Sequence, residues 1–498
     1  MRGMGLILET HSGRRIRPMA LRAPFWLQLF EQAGPAASGG RREQLVAALR
    51  TAMLRGVLSP GQQLPSSRQL AADIGVSRVT VEAAYGRLEA EGYLWRAVGR
   101  GSFVALDAPA AGPVARVRRV ETPAVLSWRG QQLAARGGCR DPARPLPFAA
   151  GSPDLRAFPL ELWRQLLARH LRRGPTLLGY GDPQGDPRLR EAIATYLNAA
   201  RGLRCTADQV LVLSSSQQAL QLAALMLLDA DDPVWLEDPG YRGAASAFEA
   251  AGARRVAVPV DAEGLSWSPD QPWPKLIYLT PSHQYPLGMA LSLRRRRALL
   301  AQAAQHRTWI IEDDYDSEFH YDGKPMPALQ GLDEAGRVLY LGTFSKVLFP
   351  SLRLAYMVLP AALVGPFVEA RTTQDGHSPQ LAQAVTADFI TAGHFAAHLR
   401  LMRRLYAQRR DALLEALRPM ADWLQPQPSP GGLQLAALLP EGEEPALSRA
   451  AAARGLETPS LSRLYGGAPR RDGWILGYAA LTPGEIAEAC QQLRQVRL

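Results

Sequence analysis

Three lysines stand in the 498-residue chain: Lys275, Lys324 and Lys346. A lysine becomes a nucleophile when burial strips water from its ammonium, lowers its pKa and leaves an amine that forms a Schiff base with an aldehyde. Lys275 sits just before an apolar run, and Lys324 lies in the polar loop Tyr321-Asp322-Gly323-Lys324-Pro325. Only Lys346 follows an apolar, strand-like run among Gly342, Thr343 and Ser345. The other polar groups suit one aldehyde, pyridoxal 5′-phosphate (PLP). Its pyridine nitrogen needs a carboxylate to hold its proton, and Asp313 follows a branched apolar run. Alone, Asp313 reads as a capping or salt-bridge residue; its conjunction with Lys346 and Arg353 carries the assignment. The phenolic oxygen needs a donor, here Tyr315. The phosphate needs N–H groups at a helix start and a cation. Ser215, Ser216 and Gln217 offer the first and Arg353 the second, with the Thr343 and Ser345 hydroxyls helping. Tyr241 can stack on the ring.

These groups need a frame. Seven apolar, branched runs read as strands: 210–213, 233–237, 255–260, 276–280, 309–312, 338–341 and 354–359. Helical patterns separate several of them, which predicts an α/β fold with a mostly parallel seven-stranded sheet and a smaller C-terminal α/β part. Ligands of such sheets gather beyond the carboxyl ends of strands. Polar loops follow five runs: Ser214–Gln218, Asp238–Arg242, Pro281–Gly288, Asp313–Tyr315 and Gly342–Lys346.

The charge points to a second activity. Residues 1–140 hold 20 arginines, no lysine and nine acids, a net of +11, whereas 141–498 hold 37 basic and 37 acidic residues. A basic module on a neutral body predicts a polyanion partner for the module. Within it, 42–55 is helical in pattern. A serine of Pro65-Ser66-Ser67 opens a short helix, Gly75 breaks it, and Ser77 caps a helix running to about Glu91. Two short helices about a glycine turn form a helix-turn-helix. Arg78 and Thr80 fall in the first turn of the second helix, where base edges and phosphates are met. Tyr93–Val104 reads as a hairpin wing with Arg96 and Arg100 at its tip. The expected organisation is an arm (1–23), this small domain (24–105), a Pro/Ala/Gly/Arg-rich linker (106–147) with a reach of roughly 35 Å, and the large domain (148–498).

Hydrophobic residues make up 47% and charged residues 21% of the chain, ordinary for a folded soluble protein. Apolar stretches of about ten residues are too short to span a bilayer. The start lacks a signal-peptide pattern, so the cytoplasm is the expected address. Cys139, Cys205 and Cys490 are too scattered for a disulfide framework or cysteine zinc site. His306, His394 and His398 have no metal-ligand companions, so no metal is expected. Arg294–Arg297 reads as a solvated helix start, and His283 as a packing or cofactor-tuning residue.

The stretch Leu49–Val104 resembles the winged helix-turn-helix of the GntR family. It carries L-R-x-x-M-L-R-G-x-L-x-P-G-x-x-L-P-S-S-R-x-L-A from Leu49, G-V-S-R-x-T-V from Gly75 and G-R-G-S-F-V from Gly99. The resemblance implies that Arg68, Ser77, Arg78, Thr80 and Gly101 approach double-stranded DNA; many members carry Arg at the place of Glu82. The body resembles fold-type I, aspartate-aminotransferase-like PLP domains through Y-G-D-P-Q-G (180–185), S-S-S-Q-Q-A-L (214–220), E-D-P-G-Y-R-G (237–243), T-P-S-H-Q-Y-P-L-G (280–288), E-D-D-Y-D-S-E-F (312–319) and G-T-F-S-K…P-S-L-R-L-A-Y (342–356). Together the halves resemble the MocR subfamily of transcription regulators, with its GabR-like and PdxR-like members. That implies Lys346 as the Schiff-base lysine, Asp313 at the pyridine nitrogen, Tyr315 at the phenolic oxygen and Arg353 at the phosphate. It also implies a head-to-tail homodimer in which Tyr180 reaches the partner's phosphate. Two positions depart from true aminotransferases: Tyr285 stands where Asn bonds the phenolic oxygen, and the strand Gly473–Tyr478 lacks the arginine that grips a substrate carboxylate. Either Arg242, Arg470 or Arg471 takes that role, or the ligand is not an ordinary amino acid. The expected function is a PLP-dependent regulator sensing PLP, an amine or an amino acid. The alternatives are an active aminotransferase with an accessory DNA-binding domain, and a PLP-binding protein without a DNA role.

Overall fold

A computed structural model describes residues 23–33, 40–97, 99–105, 125–136, 145–172, 174–321, 323, 326–427 and 429–497. The 1–23 arm, apart from Ala23, and most of the 106–147 linker lie outside these residues, as does Lys324. The chain divides into two compact units, Met1–Val125 and Leu126–Leu498.

Among its described residues the first unit packs four helices and a hairpin: α1 (Ala23–Gln32), α2 (Gly40–Leu54), α3 (Ser67–Ile74), α4 (Arg78–Ala90), β1 (Leu94–Ala97) and β2 (Gly101–Val104). Leu45, Leu49, Leu70, Val81 and Leu88 meet in its core. The Ser66 and Ser77 hydroxyls accept from Gln69 N and Thr80 N, so each serine caps its helix. Gly75 ends α3 with φ +68°, a left-handed turn suited to glycine. In the hairpin Trp95 pairs with Phe103 and their rings stack.

The second unit opens with α5 (Trp128–Arg136), inside the segment read as linker, which packs against α9 (below). Then come α6 (Leu160–Arg172), α7 (Pro187–Arg201), β3 (Val210–Leu213), α8 (Ser216–Leu227), β4 (Pro233–Asp238), α9 (Arg242–Ala250), β5 (Arg254–Asp261), β6 (Gly264–Leu265), β7 (Leu276–Leu279), α10 (Leu293–His306), β8 (Trp309–Asp314), β9 (Val338–Thr343) and β10 (Ala355–Val358). The sheet order is β3-β10-β9-β8-β7-β4-β5-β6. All seven predicted runs are in it. The eighth strand, β6, is a two-residue antiparallel return on β5, too short to show as a period. β10 runs antiparallel to β3 and β9, while β9, β8, β7, β4 and β5 are mutually parallel. After α11 (Ala361–Gln374), α12 (Gln380–Thr391) and α13 (His394–Leu417), a three-stranded antiparallel sheet of β11 (Gln425–Pro426), β12 (Gln434–Leu438) and β13 (Gly473–Gly477) packs with α14 (Glu444–Ala453) and α15 (Pro483–Arg494).

The four-arginine run starts α10 as read, with Arg294 and Arg297 exposed, but Arg295 and Arg296 correct the solvated reading. Arg296 is fully buried, and its guanidinium donates to the Leu291, Pro327 and Pro281 carbonyls. Arg295 is mostly covered and chelates Asp261. Apart from Leu291, five residues away, those acceptors lie 15–34 residues distant, so charge pattern alone could not reveal them.

Candidate functional site

β3 and the parallel strands end at one edge of the large sheet, and the antiparallel β10 begins there. Ala355 stands opposite both Leu213 and Thr343. Arg353, two residues before β10, is thereby set between the loop after β3 (Ser214–Gln217) and the loop after β9 (Ser345-Lys346). β8, carrying Asp313, is the next strand, with Asp313 opposite Leu341.

Adjacent Asp313 and Asp314 take different fates because strand side chains alternate between faces. Asp314 receives the Arg201 Nε–H at 2.8 Å and the Tyr340 hydroxyl at 2.6 Å. Arg201 holds its carboxyl below the usual range despite burial. Asp313 forms no ion pair among the described residues. Burial pushes its pKa up to about 7, opposed by a 2.7 Å hydrogen bond from the Tyr278 hydroxyl to Oδ2. Its Oδ1 is buried and has no hydrogen-bond partner. Tyr278 escaped the sequence reading; the signal was a lone phenol in the strand Leu276-Ile277-Tyr278-Leu279.

Lys346 is half-buried and backed by Gly151. A Cβ on Gly151 would stand 3.0 Å from Lys346 Nζ and 3.6 Å from Gln434 Oε1, and its φ of +69° also favours glycine. Neither Gly151 nor Gln434 was found from sequence. Gln434 is a single polar residue in the otherwise apolar β12.

Tyr315 is joined to His283, its hydroxyl 3.2 Å from Nδ1. The same nitrogen lies 2.9 Å from Asp316 Oδ2, and Nε2 lies 2.9 Å from Ser429 Oγ. Burial depresses the His283 pKa, but Asp316 outweighs it and the net shift is upward. A Cβ on Gly432 would come within 2.3 Å of the His283 ring, so the imidazole is tightly held. Tyr285 sets its ring edge-on against both Tyr241 and Tyr315.

At the other end of the edge, Ser215 caps α8, while Ser216 and Gln217 form its first turn. The Gln217 amide donates to Gly243 O, tying α8 to α9. Thr343 Oγ1 accepts from Ser345 N. Arg353 is exposed, adopts a left-handed backbone with φ +54°, and has no ion pair among the described residues. Of the candidate carboxylate arginines, Arg242 is exposed at the start of α9. Arg470 and Arg471 are exposed within electrostatic range of Tyr465. Tyr180 is 99% exposed, its ring edge-on to His377.

In the first unit, Arg68, Ser77, Arg78 and Arg100 are exposed, and Thr80 is half-buried with its hydroxyl 2.8 Å from Ser77 Oγ. Arg100 lies in the hairpin turn, where its carbonyl accepts from Gln63 Nε2. Gly101 has φ +109°, and a Cβ there would meet that amide at 2.9 Å. Arg96 is not at the tip: it lies within β1, and its guanidinium pairs with Glu82 at 3.3 Å and Glu89 at 3.1 Å.

Residues 41–104 match the model of bacterial regulatory proteins of the gntR family, and residues 144–493 that of aminotransferase class I and II. Over 461 residues the chain is 43% identical to the probable rhizopine catabolism regulatory protein MocR of Rhizobium meliloti, covering 91% of this chain and 93% of that protein. The chain belongs to the MocR family. Its similarity extends to the pyridoxine biosynthesis transcriptional regulator PdxR of Corynebacterium glutamicum, 32% identical over 88% of this chain and 91% of that one. Among solved structures, the MocR-type body is similar to the α-aminoadipate aminotransferase LysN of Thermus thermophilus, solved with N-(5′-phosphopyridoxyl)-L-leucine. That match has a TM-score of 0.67 and 31% identity, covering 74% of this chain and 98% of LysN.

Proposed function

We propose that this MocR-family chain is a PLP-dependent transcription regulator whose body senses PLP, an amine or an amino acid, and whose winged helix reads DNA. One observation carries the cofactor half: Asp313 Oδ1 is a buried carboxylate oxygen without a hydrogen-bond partner, at the sheet edge that also presents Lys346 and Arg353. A pyridinium N–H supplies the missing donor, so the residues fit the cofactor. Bound PLP supplies an aldehyde carbon that exchanges one amine for another without any oxidant, releasing water when an amine condenses with the free aldehyde.

The chain's own groups have distinct tasks. Lys346 anchors the cofactor. Asp313 keeps the proton on the pyridine nitrogen, and Tyr278 aims its carboxylate. Tyr315 donates to the phenolic oxygen while His283 and Asp316 fix its position; Tyr285 closes that side and Tyr241 covers the ring. The Ser215–Gln217 N–H groups, Thr343, Ser345 and Arg353 hold the phosphate. Tyr180, fully exposed on one protomer, reaches the partner's phosphate in a head-to-tail homodimer. Arg68, Ser77, Arg78, Thr80, Arg100 and Gly101 meet DNA. Arg96 contributes by bracing Glu82 and Glu89. Two winged helices of a dimer then address two half-sites. A ligand that binds one body conformation a few kcal/mol better shifts their spacing. No helix among the described residues is long and apolar enough to cross a membrane, and the proposed place of action is the cytoplasm, with the DNA.

Lys346→Ala tests the reading. The variant is expected to keep its circular dichroism and oligomeric state, lose the visible absorbance of bound PLP, and shift its upstream DNA without responding to PLP or amines. Unchanged visible absorbance overturns the assignment of Lys346, and no salt-sensitive shift by the wild-type chain overturns the DNA half. The aminotransferase alternative has the Lys346 and Asp313 pair in its favour and the arginine-free β13 against it. Steady-state transamination of common amino acids at about 1–1000 per second would establish it.

A further inference from the structure

On the side of Lys346 occupied by Gly151, the pocket wall contains a second unsatisfied group. Gln434 is 4% exposed, and its Oε1 is buried without a hydrogen-bond partner. It lies 3.6 Å from the point where a Gly151 side chain would begin, and Lys346 Nζ lies 3.0 Å from the same point. An unpaired buried amide costs about 1–3 kcal/mol, so a ligand that satisfies it gains selectively. The neighbouring backbone packs closely and requires glycine at two positions. Gly151 has φ +69°, and Gly477, the register partner of Gln434, could not carry a Cβ, which would stand 2.0 Å from Ala149 O.

The chemistry of this wall is neutral. β12 reads Gln434-Leu435-Ala436-Ala437-Leu438, and the adjacent β13 reads Gly473-Trp474-Ile475-Leu476-Gly477, all five of the latter buried. A carboxylate next to the reacting amine would need a cation, preferably a bidentate arginine. An amide instead matches a group that both donates and accepts, and a hydroxyl does both. We propose that Gln434 is a specificity-determining residue that reads a hydroxyl beside the amine of the effector, so that the pocket takes hydroxylated primary amines rather than α-amino acids. This rests on Lys346 being the site of amine exchange.

The test titrates the PLP-loaded full-length protein with 2-aminoethanol, n-propylamine and L-alanine, following the change in visible absorbance. The alcohol and the alkylamine are similar in size. Their different basicities cancel when the ratio of their half-saturation concentrations is compared between wild type and Gln434→Leu. The wild-type protein is expected to prefer 2-aminoethanol over L-alanine. Gln434→Leu is expected to shift the aminoethanol-to-propylamine ratio by about 10-fold against the alcohol, the worth of one neutral hydrogen bond in a dry site. Gln434→Asn, which keeps the amide but shortens it, is expected to fall between. An unchanged ratio in Gln434→Leu, a preference for L-alanine, or no spectral response to any of the three overturns the proposal. A Gln434→Leu protein that fails to bind PLP leaves the decision to Gln434→Asn and the wild-type preference. These outcomes differ from failure of the cofactor assignment, which shows as visible absorbance surviving in Lys346→Ala.

Discussion

The two units spend arginine in opposite ways. In the N-terminal unit Arg68, Arg78 and Arg100 are exposed, and the ion pairs that do form, such as Arg50–Glu91, Arg87–Glu43 and Arg96–Glu82, stay partly open to water. In the body Arg201 and Asp314 pair with side chains 2% and 1% exposed, and Arg409 and Asp154 pair at 6% and 4%. The reader therefore keeps positive charge available to an external polyanion, while the body consumes it to fix its own geometry. The whole excess of positive charge sits in residues 1–140, of which residues 24–105 hold a net of +3. Among the exposed arginines of the body, Arg353 is distinguished by its place, held on a left-handed backbone at the carboxyl-end edge of the sheet with no ion pair among the described residues.

The largest effect expected from this contrast is in the body. Asp314→Asn takes the paired negative charge away from the buried Arg201, which keeps neutral partners alone, Met326 O, Ser282 Oγ and the new amide. Removing one member of a buried pair costs about 3–5 kcal/mol. Urea denaturation followed by tryptophan fluorescence should show that loss. A loss below about 1 kcal/mol would mean that the buried arginines are not structural, and the contrast between the units would fail.

What the sequence revealed follows the same division. In the reader, caps and turns are local, so Ser66, Ser77 and Gly75 were legible as helix signals. Arg96 was misplaced because its partners, Glu82 and Glu89, lie a helix away and no local rule assigns a strand arginine to them. In the body, the five polar loops were visible because strand ends punctuate apolar runs. Asp313 and Lys346 stood out by type and position. The groups that complete the site were hidden because each matters only through a distant neighbour. Tyr278 finds Asp313 across 35 residues, and Gln434 approaches Gly151 and Lys346 only when β12 folds back beside them. Arg296 was hidden for the same reason, since its carbonyl acceptors come from the β7–α10 loop and from Pro327.

A middle-sized effect belongs to the reader. Arg78 opens α4, and its Nε is 3.4 Å from Ser67 Oγ, a weak internal contact that leaves the guanidinium free for DNA. Arg78→Ala should weaken binding to the chain's own upstream DNA by about 1–3 kcal/mol and reduce the salt dependence by about one counterion, with the visible absorbance of the body unchanged. Fluorescence anisotropy at several salt concentrations measures both. Loss of absorbance along with DNA affinity would show that the reader's arginines also serve the body.

The smallest effect sharpens the contrast from the other side. Glu91 accepts from both Arg50 and Arg87, and those bonds hold its carboxyl below the usual glutamate range, with the Arg50 hydrogen bond the largest cause. A depressed carboxylate pKa contributes stability that is present above the ordinary value and lost as pH falls through the folded one. Because the pair is screened by water, Glu91→Gln should change stability at neutral pH by about 1 kcal/mol or less, far below the cost of Asp314→Asn. It also frees Arg50 from its ion pair, leaves Arg87 paired with Glu43, and raises the unit's charge by one. DNA affinity should therefore rise slightly at low salt, and the gain should vanish near 0.5 M salt, where the Debye length falls to about 4 Å. A destabilisation matching that of Asp314→Asn would place this pair in the class of the body's buried bridges, and the reader's charges would then be structural too.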